Sequence, residues 1–160
     1  MLKLGLLGVV AWIASPALAA PSATRAECAI LNQLFIGQAD PNGTHPPTFM
    51  DRLSPYSSPE FLASSIDRLA APLAVPLKLS KGLAAHVRAS RASPWKPDCA
   101  WSTPAPFLSN AFSRPIMSKD GRLAAFLWEQ GFEAPDRGRV CLAYKPHDNW
   151  HVNCAYSWQR

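Results

Sequence analysis

The chain has 160 residues, with 16 Lys and Arg against 11 Asp and Glu, a formal charge of +5, and 48% hydrophobic residues. That length suits one domain of ordinary size. The positive charges are scattered without a run of Lys or Arg, which favours solubility and weak attraction to an anionic surface and does not make a nucleic-acid case, so no nucleic-acid partner is expected.

The amino terminus has the three parts of an export signal. Lys3 supplies the only charge, Leu4 to Ala14 form an apolar run, and Ser15-Pro16 precede Ala17-Leu18-Ala19, the small-x-small pattern that a signal peptidase accepts. Cleavage after Ala19 is expected, because cutting after Ala20 would leave Pro21 next to the scissile bond. The apolar run is about half of the ~20 residues a spanning helix needs. Arg25-Ala26-Glu27 ahead of Cys28 lacks the apolar and small residues of a lipoprotein cleavage site. The sequence thus divides into a signal peptide, 1–19, and a single disulfide-bonded α+β domain, 20–160. No other apolar run is long enough to span a bilayer, and the mature chain is expected to be periplasmic or secreted. Removing Lys3 leaves it a net charge of about +4.

Behind the signal, Thr24-Arg25-Ala26-Glu27 fits a capping box. Ala26, Ile30, Leu31 and Leu34 recur at helical spacing and predict a helix over 25–36, ending near Gly37. Asp40 to Pro47 is a loop by composition. Ser58-Pro59-Glu60 starts a second helix, with Phe61, Leu62, Ile66 and Leu69 as its buried stripe and Pro72 as its stop. A third, shorter helix is expected from Ser80 to about Ser90, burying Leu83, Ala84 and Val87. Twelve prolines between Pro41 and Pro115 argue against a continuous sheet in that stretch. Ser93 to Pro106 reads as an irregular but fixed segment, pinned by Cys99 and by burial of Trp95 or Trp101.

The carboxyl third predicts a four-stranded antiparallel meander. Its strands are 113–118, 123–130, 139–145 and 150–158, with Lys119-Asp120-Gly121-Arg122 as a hairpin turn and a loop through Pro135 and Gly138. On the last strand Trp150, Val152, Cys154, Tyr156 and Trp158 share one face, and the helices are expected to cover that aromatic face.

Cys28, Cys99, Cys141 and Cys154 are an even set in an oxidising compartment, so two disulfides are expected. Three pairings exist in principle. With Pro146-His147-Asp148-Asn149 as a four-residue loop, Ala143 faces Val152 and Cys141 faces Cys154, a separation that a disulfide accepts in a non-hydrogen-bonded pair. Cys28 is then left with Cys99. By loop entropy these bridges contribute about 3 and about 4 kcal/mol. No C-x-x-C or zinc spacing occurs.

The fold expected is α+β, amino-terminal helices packed on a carboxyl-terminal sheet. This order resembles the NTF2-like cone, in which amino-terminal helices pack into a curved sheet. The resemblance rests on helix order and on Trp150-His151-Val152 opening the final strand. It implies an alternative shape for the sheet and no function.

Chemistry is sparse. His147 and His151 lie four apart across a turn, and with Asp148 they are best read as solvated; His45 and His86 have no evident partner. No G-x-S-x-G nucleophile elbow and no glycine-rich phosphate loop occurs. Glu129, Glu133 and Asp136 lie near Arg137 and Arg139, a charge-balanced loop rather than a glycosidase pair. Trp95, Trp101, Trp128, Trp150 and Trp158 are numerous for the chain's size, and core packing is their commonest use. No catalytic, cofactor-binding or metal-ligating residue is assigned, so the site residues are the four disulfide cysteines. The expectation is an exported binding or interaction domain without catalysis, its partner an unspecified envelope component, ligand or protein. The alternative is a secreted hydrolase assembled only by folding, which would bring Glu60, His86, Glu129 and Asp136 to one pocket.

Overall fold

A computed structural model describes residues 22–36, 48–50, 53, 59–73, 82–83, 85–86, 88–89, 95–101, 108–132 and 134–159. The expected signal peptide and the loop 40–47 lie outside these residues.

Helix α1 spans Arg25–Phe35. Its capping box is formed: the Glu27 N–H donates to Thr24 Oγ1 at 3.3 Å, and the Thr24 N–H donates to Glu27 Oε2 at 2.7 Å. Helix α2 spans Pro59–Ala70 and ends in a 3-10 turn, Ala71–Leu73, where Pro72 cannot continue the α-helical ladder. Of its expected stripe, Leu62 and Ile66 are buried and Leu69 is partly so; the Phe61 side chain lies outside the described residues. The described residues between 82 and 89 are helical, as expected for the third helix, and Leu83 is buried.

The sheet has strands β1 (Ser109–Phe112), β2 (Ile116–Met117), β3 (Leu123–Gly131), β4 (Pro135–Tyr144) and β5 (His151–Gln159). All pairings between them are antiparallel. The order is β1-β3-β4-β5, with β2 also on β3, and the sheet is open. The chain is therefore α+β, with its helices first and a meander last.

Three expectations about the strands are corrected. The first strand, expected over 113–118, starts at Ser109 and is broken into β1 and β2. At the break the Ser113 N–H donates to Leu127 O at 3.0 Å, and Ser113 Oγ accepts from the Leu127 N–H at 2.9 Å. A hydroxyl thus stands where a carbonyl would continue the ladder, and the chain bends past Pro115. Strand β4 begins at Pro135 rather than Arg139. Proline is tolerated at a first strand position, and Gly138 sits beside a bulge in the β4–β5 pairing. That bulge moves Trp158 opposite Gly138, which shares a face with Val140 and Leu142 and not with Cys141. Trp158 therefore leaves the face that Trp150, Val152 and Cys154 share.

The layering is the largest correction. Helix α1 packs Ile30, Leu31, Leu34 and Phe35 on the face carrying Phe112, Phe126, Trp128 and Trp150. Helix α2 packs Leu62, Ile66 and Ala70 on the opposite face, against Ala125, Leu127, Val140 and Leu142. The helices do not share the aromatic face; the sheet lies between them. This arrangement is not the NTF2-like cone, whose helices share the hollow of one curved face. It also explains why every residue of β3 after Leu123 is buried.

The disulfides are Cys28–Cys99 and Cys141–Cys154, with Cα separations of 5.4 and 4.1 Å. Ala143 pairs with Val152 and Cys141 with Cys154, as the four-residue loop requires. The β2–β3 turn contains Gly121 at φ 67°, where a glycine meets no steric cost. Asp120 accepts from the Ser118 hydroxyl and the Arg122 N–H, and these bonds hold its carboxyl below the usual range.

Candidate functional site

The polar groups that the fold brings together lie in three places. The first joins α1 to the break in the sheet. Because β1 and β2 part at residues 113–115, Arg114 turns toward the helix. Its Nε donates to Glu27 Oε1 at 2.7 Å, and its Nη2 donates to Glu27 Oε2 at 3.1 Å and to the Ser22 carbonyl at 3.3 Å. The guanidinium also stands 5.7 Å from the centre of the Trp95 ring. Glu27 is buried, which alone would push its carboxyl up. The Arg114 bonds, with the backbone and hydroxyl of Thr24, outweigh that and hold it below its ordinary value. Nearby, the Ala23 N–H donates to Asp98 Oδ1 at 2.7 Å and lowers that carboxyl. This bond and the Cys28–Cys99 disulfide clamp the start of α1 to residues 98–99. Such a grouping fixes structure, since every Glu27 oxygen already has a donor.

The second lies inside the aromatic layer. Trp128 Nε1 donates to Asn110 Oδ1 at 2.9 Å, and Asn110 Nδ2 donates to the Leu108 carbonyl at 2.9 Å. The Arg139 guanidinium stands 4.6 Å from the centre of the Trp128 ring, across the strand pair that register creates. Phe35 meets Trp128 edge-on at 6.1 Å, and Phe112 stacks on Trp128 at 6.4 Å. Most of the tryptophan surplus is therefore packing: Trp95, Trp128 and Trp150 are buried, and Trp101 lies against the same cluster. Sequence reasoning missed Asn110, Ser113 and Arg114. The signal for Ser113 and Arg114 was a run of polar residues, 113–114 with Pro115, inside a segment read as one strand; Asn110 lay outside any element expected from the sequence.

The third is the final hairpin. Tyr144 and His151 stack at 5.2 Å on adjacent strands, while His147, Asp148 and Asn149 are exposed at the tip. His86 keeps a buried Nε2 with no hydrogen bond among the described residues, and His45 lies outside them. Glu129 is fully buried on β3, and Asp136 pairs with Arg137 Nε at 3.0 Å. The side chains of Glu60 and Glu133 lie outside the described residues. No group of three His, Cys, Asp or Glu able to hold a metal occurs among the described residues.

What distinguishes the hairpin is its position. The outer edge of β1 is covered: Met50 N donates to Asn110 O at 2.7 Å, Asn110 N to Thr48 O at 2.9 Å, and Trp95 N to Phe112 O at 3.3 Å. Strand β5 is the other margin of the sheet, and among the described residues it pairs only with β4. Its sequence, HVNCAYSWQ, carries no Lys, Arg, Asp, Glu, Pro or Gly. The residues that natural edges use to discourage pairing are thus missing from it. The 4.1 Å Cα separation of Cys141 and Cys154 marks a non-hydrogen-bonded pair. The N–H and C=O groups of Cys154, and of Val152 two residues away, therefore point away from β4. His151 and Asn153, which alternate with them, are exposed.

No protein-family model matches the chain, and no curated protein or solved structure matches it.

Proposed function

We propose that the mature chain is an exported binding or interaction domain without catalysis, and that it engages an envelope component by adding a partner's extended segment to the edge of β5. The observation that carries this reading is the uncharged nine-residue margin of the sheet, with outward donors and acceptors at Val152 and Cys154. Backbone bonds to those groups supply affinity, and the side chains alternating along the edge supply selectivity. The compartment reading is supported by the amino-terminal signal pattern, with cleavage expected after Ala19, and by two disulfides, one holding α1 to the segment at Cys99 and one closing the last hairpin. Among the described residues no helix is long and apolar enough to cross a membrane.

Amide hydrogen exchange tests the reading. In a dilute solution of the purified mature chain the Val152 and Cys154 amides should exchange quickly, while the inward amides of the β4–β5 ladder exchange slowly. Adding the extracytoplasmic protein extract of the source cells should slow Val152 and Cys154 selectively. Fast exchange unchanged both by that extract and by raising the protein concentration would overturn it.

A further inference from the structure

Resting on that reading of the edge, we propose that the occupant of β5 is a second copy of this chain, paired antiparallel across a twofold axis at Asn153. Three observations select a second copy over an isolated peptide.

The first is coverage. Both α1 and α2 reach β5, one on each face of the sheet. Around Asn153 the face that is covered is the α1 face, at Trp150, Val152 and Cys154; a strand added beyond β5 must be covered there, and a lone extended peptide brings nothing to cover it. A second copy brings its own α1 and α2, so the sheet and its α1 layer continue across the junction, while His151 and Asn153 stay exposed on the other face.

The second is charge. The mature chain carries about +4, so two copies repel over most approaches. The β5 edge has no charged residue, and twofold pairing there opposes no like charges. His151, the one titratable side chain before the bulge other than Tyr156, falls opposite Ala155 of the other copy.

The third is symmetry. The hairpin loop on one side and the bulge beyond Tyr156 on the other leave a regular stretch centred on Asn153. An axis there sets Val152 against Cys154 of the other copy, and these are the residues whose backbone groups point outward. The contact is isologous and closes at two copies. A strand pair of this length falls short of the ~800 Å² per partner of a standard interface, so the rims of the helical layers complete it and the dimer is weak.

Sedimentation equilibrium of the disulfide-intact mature chain, from about 1 µM to about 1 mM, reads this directly. A monomer–dimer equilibrium is expected, with Val152 and Cys154 amides protected as concentration rises. Asn153→Lys, at an exposed position, should weaken dimerisation at least about tenfold by placing two cations on the axis while leaving the fold intact. Asn153→Cys should form an intermolecular disulfide under oxidation. A monomer at all concentrations with fast Val152 and Cys154 exchange overturns the second copy; the edge reading then stands only if extract slows those amides. A monomer in which the same amides are slow at every concentration means that the chain covers its own edge, and both ideas fall.

Discussion

Replacing Glu27 with Gln tests whether the cap of α1 and the break in the sheet form one interaction. The carboxylate accepts from Arg114 at 2.7 and 3.1 Å and from the Thr24 N–H at 2.7 Å. A hydrogen bond to a charged group contributes about 1.5–3 kcal/mol. The Arg114 side chain is 27% exposed and that of Glu27 6%, so solvent screening reduces the Arg114 share. Glutamine keeps one acceptor and loses the charge and the second acceptor, for an expected loss of about 1–2 kcal/mol at pH 7. The pH dependence gives a sharper test. Glu27 titrates below its ordinary 4.5 in the folded chain, so its contribution is complete above that value and is lost as pH falls through the folded pKa. Urea unfolding from pH 7 to pH 3 should show the wild type approaching the variant at the acid end. A difference that stays constant to pH 3, or no difference at pH 7, would refute the reasoning. A cycle with Arg114→Gln should return a coupling of about 1 kcal/mol.

Three other perturbations are simpler. Exchanging Cys141 and Cys154 for Ser opens a loop of 13 residues and should cost about 3 kcal/mol, read as a lower urea midpoint; an unchanged midpoint would remove the bridge from the stability account. Gly131→Ala drives a Cβ into the Ala134 carbonyl oxygen, a backbone atom that cannot swing away, and should cost at least about 2 kcal/mol. Gly121→Ala meets open space at φ 67° and should cost about 1 kcal/mol, so equal effects would contradict this assignment.

What could be read in the sequence was local or fixed by a short loop. The capping box at Thr24, the turn at Gly121 and the Cys141–Cys154 pairing all depend on residues within one turn or one hairpin. The break at Ser113 was hidden because a side-chain hydroxyl replaces a backbone acceptor there, and the Arg114–Glu27 pair joins groups 87 positions apart. Pro135 and Gly138 carry loop chemistry, yet a strand accepts them at its first position and beside a bulge. The face change of Trp158 follows from one extra residue, which a strict period of two cannot anticipate.

The alternation along β5 has a different cause from the one its pattern suggests. Read alone, Trp150, Val152 and Cys154 against His151 and Asn153 describe a sheet with one wet face. The neighbouring run, Ala124 to Gln130, is buried at every position, which is the signature of a strand covered on both sides. Both strands belong to one sheet, so polar residues on β5 cannot mean that the sheet lacks a second layer. They mean that the second layer ends there, and that β5 is a margin. A margin covered on its α1 face, without charge and with outward amides at Val152 and Cys154, is suited to a partner that continues the sheet and that covered face together.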